Sequence, residues 1–424
     1  MPNENMHQLS IVCFWFLVGI AVYNTLWTLF TLHALGNRRR KSTIDDRDLP
    51  KAAVLLCLRG ADSGLRSCLR RLLNQDYPKY ELFIAVDSET DPAWDVVQSA
   101  IRTSKAENVH VSVLRNRLTT CSLKCSALVQ LVDQLDDSHQ VIALADADLE
   151  SHPTWLRELV SPLADPKIGV TFGNRWFMPT QGWFGSLVRQ MWNGPGLVVM
   201  HVLQIPWAGS LAIRANVFHQ GRLRDRWARS IVDDGPIRVA VKAQNLRLHF
   251  VPTLIMANRE DCSLGYAYNF LRRQMTWTRT YIYGWWMALL ASVFLVLGTT
   301  ATSAILALAN YFYGSPSAAF NFAAGVAALV SGSTALWLAL DFYARRMIRE
   351  QGETAPASFS VGLSQLPVVM LVTCFMHVFA AVVATLRRRV VWRGVTYEIR
   401  GPSNIRVISE NAMEMPLASS AVSI

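Results

Sequence analysis

Long apolar stretches lie near both ends of the chain, and a region of shorter apolar runs separates them. Residues 9–35 are almost entirely apolar and are followed at once by the basic run Arg38-Arg39-Arg40-Lys41. A cleaved signal peptide would carry its positive charge ahead of a shorter apolar core. The pattern therefore predicts a signal-anchor transmembrane helix over 9–35. Its C-terminal side is expected in the cytoplasm, because flanking Lys and Arg favour that side.

Residues 42–280 alternate short apolar runs with helical patterns, which is typical of an α/β domain with a mostly parallel sheet. The first four strands are predicted at residues 54–58, 82–86, 109–114 and 141–145. Helices are predicted between them at residues 65–73, 93–102 and 122–135. Ligands of such sheets bind beyond the carboxyl ends of the strands, so polar residues there are candidates for a site.

The region 285–386 is apolar again and contains about three long segments, which predicts a C-terminal membrane region. Residues 190–209 are also apolar, but Gly194, Pro195, Gly196 and Pro206 interrupt them. An apolar stretch of this length with those interruptions favours an interfacial or re-entrant segment over a span.

The last part of the chain, residues 387–424, is predicted to be a basic tail whose end is disordered after about residue 407. It contains Trp392-Arg393-Gly394, with Tyr397 shortly after. Three complete C-terminal spans would place Arg387-Arg388-Arg389 outside the cell, against the positive-inside tendency. One of the three apolar segments is therefore expected to be re-entrant or to lie on the membrane surface.

Composition narrows the class of protein. The 424 residues are 51% hydrophobic, with a net charge of +10 and a mean hydropathy of +0.21, which excludes an ordinary soluble enzyme. The basic residues are dispersed and form no nucleic-acid-binding motif, so we expect a lipid bilayer and no nucleic acid as partner. The seven cysteines show no CxxC spacing, which favours a reducing cytosol over a disulfide framework.

Two carboxylates follow the fourth predicted strand, in Asp146-Ala147-Asp148. In an extended segment, residues i and i+2 point to the same side. Two carboxylates so placed can chelate one hard divalent cation, such as Mg²⁺, together with phosphate oxygens. The alternative is a solvated turn, which is the commoner structure for an isolated Asp-x-Asp.

Further candidates for nucleotide binding precede this motif. Asp87 leaves the second predicted strand and can accept the N3–H of a uracil, while neighbours such as Glu89 hold the ribose; a polar turn is the alternative. Lys124 opens the helix before the fourth strand, where its charge can face a diphosphate. A solvated helix lysine is the alternative there.

A second acidic pair, Asp233-Asp234, lies about 85 residues after Asp148. Direct displacement at a sugar requires a carboxylate that takes the proton of the acceptor hydroxyl, and either residue could be that general base. The alternative is a helix N-cap, for which Asp is a preferred residue.

The segment Arg273-Gln274-Met275-Thr276-Trp277 lies just before the second apolar region. On a helix, Arg273 and Trp277 are one turn apart and share a face. The indole can stack on a sugar, and the arginine can balance the charge of a departing nucleoside diphosphate. The alternative is a cluster of aromatic and basic residues at the membrane interface.

This ordered series resembles the inverting family 2 glycosyltransferases, which carry D, DxD, (E/D)D and (Q/R)xxRW motifs. The chain is most similar to the ceramide glucosyltransferase group and its bacterial hopanoid-associated relatives, over roughly residues 10–390. The residues that carry this closer resemblance are Arg59-Gly60-Ala61-Asp62, Asp76-Tyr77-Pro78-Lys79-Tyr80-Glu81, Asp91-Pro92-Ala93 and Pro206-Trp207-Ala208-Gly209-Ser210. The chain departs from the pattern at Thr276, where the family has Arg.

The resemblance implies a GT-A-like (nucleotide-diphospho-sugar transferase) domain that uses a UDP-sugar with Mg²⁺ or Mn²⁺. Asp87 would contact the base, and Asp146 and Asp148 the diphosphate and metal. Asp234 would be the catalytic base with Asp233 beside it. The acceptor and leaving-group side would be lined by Arg273, Gln274 and Trp277.

The function expected on this basis is transfer of a hexose to the hydroxyl of a membrane lipid such as ceramide, diacylglycerol or a hopanoid. The protein would be a multi-pass protein of the bacterial inner membrane with its catalytic domain in the cytoplasm. One alternative is a processive polysaccharide synthase, which shares these motifs. The other is an inactive transferase-like membrane scaffold, an alternative that Thr276 keeps open.

Overall fold

The computed structural model describes residues 2–36, 44–62, 64–355 and 365–410. The basic run at 38–41 and the chain from residue 411 lie outside the described residues. The strands are β1 (Ala52–Leu58), β2 (Tyr80–Val86), β3 (Val109–Val113), β4 (Val141–Ala145), β5 (Ile168–Phe177), β6 (Ser210–Arg214), β7 (Arg247–Asn258), β8 (Arg389–Trp392), β9 (Val395–Gly401) and β10 (Asn404–Glu410). The α-helices are α1 (Pro2–Gly36), α2 (Leu65–Leu72), α3 (Pro92–Ser104), α4 (Leu123–Val132), α5 (Trp155–Val160), α6 (Phe184–Leu203), α7 (Ala215–Gln220), α8 (Leu223–Trp227), α9 (Asp234–Ala243), α10 (Leu264–Tyr281), α11 (Tyr283–Tyr313), α12 (Pro316–Glu350) and α13 (Leu366–Leu386).

The first seven strands form one mixed sheet in the order β3-β2-β1-β4-β6-β5-β7. Strands β1 to β4 are parallel to one another. The buried apolar runs of β1, β2 and β4 are typical of a parallel sheet, whereas β3, at its edge, is only partly buried. Strand β6 lies antiparallel between β4 and β5. Its first residue, Ser210, pairs with Ala145 at the end of β4, so the loop before β6 reaches the residues that follow β4. The predicted strands and helices of this first half begin and end within three residues of the observed ones.

Four helices, α1, α11, α12 and α13, are long and apolar enough to cross a membrane. Helices α1 and α12 run in the same direction, because Gly325 lies against Phe14 near the start of α1 and Tyr343 lies against Gly36 at its end. Helix α11 runs the opposite way and ends at Tyr313, three residues before α12 begins. Helix α12 extends to Glu350 and carries Arg345 and Arg346 toward the α/β domain.

Helix α13 is placed differently from the other three. Before it, Gln351 donates to the carbonyl of Thr253 in β7 at 2.6 Å; after it, the chain enters β8 directly. Along its length, Trp192 of α6 donates to His377 at 3.0 Å, and Arg279 of α10 donates to the carbonyl of Thr385 at 3.1 Å. Leu366, at the start of α13, is packed with Leu187 and Val188 of α6, so the helix lies against α6 at its start and against α10 at its end.

Two local features add to the sequence expectations. Helix α6 runs unbroken through Pro195 to Leu203, so the interruptions at 194–196 lie inside a helix. Gly194 has a packing role, since a Cβ there would lie 2.6 Å from Trp337 Cδ1. The tail is ordered beyond residue 407: β10 extends to Glu410, because buried Val390, Tyr397 and Ile405 pack the small β8-β9-β10 sheet onto the domain.

Candidate active site

The carboxyl ends of β2 and β4 bring Asp87, Asp146 and Asp148 to the same edge of the sheet. The Asp87 carboxylate forms ion pairs with two arginines: Arg59 Nη1 lies 3.2 Å from Asp87 Oδ2, and Arg117 Nη2 lies 2.9 Å from Asp87 Oδ1. Both arginines also contact Glu410 at the end of β10. Glu89, in the same loop, is exposed and pairs with none of the described residues. The structure therefore gives Asp87 a defined position and leaves Glu89 apart.

Lys124 joins the two acidic motifs of the chain. Its Nζ lies 2.6 Å from Asp146 Oδ1 and 2.8 Å from Asp233 Oδ2. The helix α4 that carries it is capped by the Ser122 hydroxyl, which accepts from the Cys125 amide. Although burial alone would lower the pKa of Lys124, the two carboxylates hold it well above its usual value. Lys124 is therefore a fixed positive charge and not a solvated helix lysine.

The two carboxylates of the Asp-x-Asp motif differ in their surroundings. Burial opposes ionisation of Asp146, but the Lys124 ammonium outweighs it and lowers the pKa of this carboxyl. Burial raises the pKa of Asp148, and Arg175, whose Nη1 lies 3.9 Å from Asp148 Oδ2, offsets part of that rise. Asp148 Oδ2 also accepts from Asn258 Nδ2 at 2.5 Å. The pair is thus structured by specific partners and is not a solvated turn.

The donor set around this motif fits a hard divalent cation that shares its ligands with a phosphate. The two carboxylates supply oxygen ligands, and no group of three or more His, Cys, Asp or Glu side chains that could hold a metal is found among the described residues. Mg²⁺ and similar cations are commonly held by one or two carboxylates plus substrate phosphates. Gly209 lies close beside this motif, since a Cβ there would overlap the ring of Trp207 and lie 2.6 Å from Asp146 Oδ2.

The second acidic pair lies at the start of α9. Asp233 stands at the N-cap position, but its side chain makes no capping hydrogen bond; it is buried and pairs with Lys124 instead. Loss of solvent around Asp234, together with the neighbouring Asp233 carboxylate, raises the pKa of Asp234 to about 7. A carboxyl with that pKa can accept a proton near neutral pH. The structure thus disfavours the simple N-cap alternative.

Helix α10 presents one face to this acidic pair. Arg273, Trp277 and Tyr281 are spaced four residues apart and so share a face. Tyr281 packs against Gly235, where a Cβ would lie 2.6 Å from the tyrosine ring, and its hydroxyl accepts from the Ile231 amide at 3.1 Å. The sequence motifs did not mark Tyr281 as a site residue. Its spacing of four residues from Trp277 could have indicated that it shares the same face of the helix.

The remaining residues of this motif do not all face the site. Trp277 packs on Trp392 with ring centroids 5.9 Å apart, and the guanidinium of Arg273 lies over Trp392 at 5.8 Å. The Gln274 side chain forms no hydrogen bond with the described residues. Thr276 is buried, and its hydroxyl donates to the carbonyl of Arg272 at 2.8 Å. Thr276 therefore supplies no charge at this position.

Two further arginines lie near the Asp-x-Asp motif. Arg175, in β5, lies over the rings of Trp207 and Phe177, each at 5.1 Å. Arg393, in the turn between β8 and β9, pairs with both carboxylate oxygens of Asp62 at 2.8 and 2.6 Å. Arg175 carried no sequence signal, whereas Arg393 and Asp62 belong to short motifs whose role the sequence did not define.

Arg175 and Arg393 lie close enough to Arg273 to affect its charge state. Burial, together with the nearby positive charges of Arg393 and Arg175, lowers the pKa of Arg273 to about 10. Arg393 also acts electrostatically on Asp146. Three arginines therefore concentrate positive charge beside the Asp-x-Asp carboxylates, an arrangement that suits a diphosphate.

The chain is similar in sequence to known glycosyltransferases. Residues 13–405 match the model of glycosyl transferase family 21. A ceramide glucosyltransferase from Komagataella phaffii is 28% identical over 115 residues, which are 27% of this chain and 22% of that protein's length. The match thus spans about a fifth of that relative.

Two solved structures are similar at low identity. The mannosyltransferase PcManGT from Pyrobaculum calidifontis, in complex with GDP-Man and Mn²⁺, is 16% identical with a TM-score of 0.47; the alignment covers 90% of this chain and 99% of that one. Glucosyl-3-phosphoglycerate synthase from Mycobacterium tuberculosis, in complex with Mn²⁺ and UDP-glucose, is 15% identical with a TM-score of 0.37. That alignment covers 55% of this chain and 83% of that one.

The family match covers nearly the whole described chain and includes every residue of the cluster from Asp62 to Arg393. It confirms the predicted resemblance to the ceramide glucosyltransferase group and the predicted enzyme class, a glycosyltransferase. The predicted fold class, a GT-A-like α/β domain with apolar helices at both ends, is confirmed as well. The chain belongs to glycosyl transferase family 21.

Proposed function

We propose that this protein is a membrane-bound inverting glycosyltransferase that moves one hexose from a UDP-sugar to the hydroxyl of a membrane lipid. The observation that carries the proposal is the cluster around Lys124, which ties Asp146 of the metal and diphosphate pair to Asp233, next to Asp234. This cluster faces α10, which leads directly into the apolar helix α11. A base and a diphosphate site thus lie beside the element that enters the bilayer.

The donor side of the site follows from the charges. Asp87, held between Arg59 and Arg117, would accept the N3–H of uracil. Asp146 and Asp148 would hold Mg²⁺ or Mn²⁺ together with the diphosphate oxygens, and that cation supplies positive charge to the leaving group. Arg175, Arg273 and Arg393 would add the charge that Thr276 lacks.

The acceptor side requires a hydroxyl within reach of Asp234. Its carboxylate would take the hydroxyl proton while the oxygen attacks the anomeric carbon of the sugar opposite the departing diphosphate. Direct attack from that side inverts the configuration, so an α-linked donor gives a β-linked glycolipid. Ceramide, diacylglycerol and hopanoid lipids all offer such a hydroxyl.

The membrane arrangement follows from the helix directions. Helices α1, α11 and α12 would cross the bilayer, and α13 would lie at its surface with α6 and α10. Arg345 and Arg346 at the end of α12, and the run 387–389, then all face the cytoplasm beside the catalytic domain. This arrangement agrees with the positive-inside tendency and fits a bacterial inner membrane. It also supports the interfacial location expected for 190–209.

The alternative function is that of a processive polysaccharide synthase, which shares the same sequence motifs. Three crossing helices are few for a polymer channel, which favours transfer of a single sugar. Purified protein in membranes would be given a panel of labelled UDP-hexoses with Mg²⁺ or Mn²⁺. We expect the label to enter the organic-solvent extract; recovery of the label in a large, solvent-insoluble polymer would favour the synthase.

The pH dependence of transfer should report the state of Asp234. Because the pKa of its carboxyl is raised to about 7 and only the ionised form accepts a proton, kcat/KM should fall about tenfold per pH unit below pH 7. Above that pH, kcat/KM should level off as the carboxylate becomes fully ionised. The measurement is a profile from pH 5.5 to 8.5 at saturating metal. A flat profile below pH 7 would contradict this role.

Arg393 should contribute to transfer and not only to folding. We expect Arg393→Gln to lower kcat by about 10- to 100-fold, because one positive charge near the leaving diphosphate is lost. Arg400→Gln is the matched control: it removes an exposed arginine of the same small sheet, which pairs with Glu398, and should leave kcat unchanged. Equal effects of the two variants, or an unchanged kcat for Arg393→Gln, would remove Arg393 from the site.

A further inference from the structure

A second basic site lies outside the active-site cluster, where α13 ends and the small sheet begins. A cavity of about 400 Å³ opens there between α10, the end of α13 and the outer face of β8 and β9. Its lining residues are Arg272, Arg387, Arg388, Arg389, Val391 and Glu398. Four arginines thus face one cavity with a single carboxylate among them.

These positive charges are not compensated within the described part of the chain. The carboxylate of Glu398 is engaged by Arg400, whose Nη2 lies 2.8 Å away. Arg272, Arg387, Arg388 and Arg389 take part in none of the ion pairs of the described residues, and Arg272 Nε is buried without a hydrogen-bond partner. Guanidinium groups match the oxygens of a phosphate in pairs, so a bound phosphate would satisfy these donors.

The cavity lies at the level where apolar side chains give way to charge. Leu386, at the end of α13, is 77% exposed, and Val391, in the cavity wall, is 54% exposed. The apolar helix α13 leads directly into the arginine run. Exposed apolar residues beside arginines are typical of the headgroup region of a bilayer.

This cavity is separate from the catalytic face of α10. Arg272 is one residue from Arg273, so the two side chains leave the helix about 100° apart. Arg273 lies over Trp392, whereas Arg272 lines the outer cavity. A ligand of the cavity would therefore not occupy the donor site.

We propose that this arginine cavity binds the phosphate of an anionic phospholipid headgroup, such as phosphatidylglycerol, from the cytoplasmic leaflet. The site is distinct from the donor and acceptor sites of the proposed transfer reaction. Since β8 begins at Arg389 in the cavity and ends at Trp392 beside Trp277, a bound headgroup would fix the strand that carries residues to the active site.

Calorimetric titration of the full-length protein in detergent tests this proposal. The probes are dihexanoyl phosphatidylglycerol, dihexanoyl phosphatidylcholine and inorganic phosphate. The variant is R387Q/R388Q/R389Q, all three of whose arginines are exposed. The control is R66Q/R70Q/R102Q, which removes the same charge from exposed arginines elsewhere on the domain that pair with no described residue.

We expect saturable binding of the phosphatidylglycerol, at least tenfold weaker in the triple variant and unchanged in the control, with much weaker binding of the phosphatidylcholine. Equal binding by wild type and triple variant, or an equal loss in the control, would overturn the proposal. Inorganic phosphate that binds as tightly as the anionic lipid would also overturn it, because the site would then be a general anion site. If the triple variant melts early, Arg388→Gln alone should weaken lipid binding at least threefold, and unchanged binding there would count against the site.

Discussion

Asp234→Asn is expected to lower turnover by about 10²- to 10⁴-fold, the usual contribution of a general base, while the affinity for UDP stays the same. The substitution keeps the size of the side chain but removes its ability to accept the hydroxyl proton. The Lys124 ion pairs to Asp146 and Asp233 are left in place, so the donor side should be unaffected. The measurement is kcat for transfer together with the dissociation constant for UDP in the presence of Mn²⁺.

The control for this experiment is Asp225→Asn, which removes an exposed carboxylate on the nearby helix α8 that pairs with Arg222. It should retain wild-type turnover. Turnover above about a tenth of wild type in Asp234→Asn would remove this residue as the base, since general-base catalysis contributes at least about 10²-fold. Loss of UDP affinity in the same variant would place Asp234 in the donor site instead.

Asp148→Ala is expected to weaken UDP binding by at least about 100-fold in Mn²⁺ and to abolish the dependence of binding on the metal. One of only two carboxylates at the proposed cation site would be lost, and a hard cation depends on charged oxygen ligands. The change also leaves Asn258 and Arg175 without their carboxylate partner. Asp148→Asn should therefore be measured as well, because the amide keeps the size of the side chain and removes only its charge.

The measurement is calorimetric titration of UDP with and without Mn²⁺. Asp137→Ala serves as control, since Asp137 is exposed and pairs with none of the described residues; it should bind UDP as the wild type does. Metal-dependent binding of wild-type strength in Asp148→Ala would show that the cation is held elsewhere or not required.

The first half of the α/β domain could be predicted from the sequence because its signals are local. Strand β4 matches its predicted bounds, since a fully buried apolar run ends abruptly at Asp146. The parallel sheet then brings together the ends of β2 and β4, and with them Asp87 and Asp146. The position of Lys124 between two carboxylates could not be predicted from the sequence, because Asp146 and Asp233 are far apart in the chain and only the fold brings them together.

The parts that could not be predicted depend on long-range contacts. Strand β6 is short, and it is antiparallel to both of its neighbours in a sheet whose other strand pairs are parallel. No local sequence pattern marks it. Arg175 has no motif; its position follows from packing over Trp207. Helix α13 has the composition of a span, and only the folded structure shows its contacts with α6 and α10.

The small C-terminal sheet illustrates the same limit. Its residues form a basic tail in the sequence, yet the buried Tyr397 hydroxyl accepts from the Leu123 amide, one residue before Lys124. Arg393 reaches Asp62 across the domain. Contacts between residues this distant in sequence leave no periodic signal. The packing of the C-terminal sheet beside Lys124 and Asp62 is therefore visible only in the folded chain.

The most direct test of the proposed function is the chemical structure of the product. The protein, in membranes of defined lipid composition, would be incubated with each UDP-hexose and Mn²⁺, and the lipid extract examined by mass spectrometry and NMR. A lipid whose mass increases by one hexose, joined through a β-linkage and absent with Asp234→Asn, is the predicted result. A polymer of many sugars, an α-linked product, or no glycosylated lipid with any UDP-hexose would contradict it.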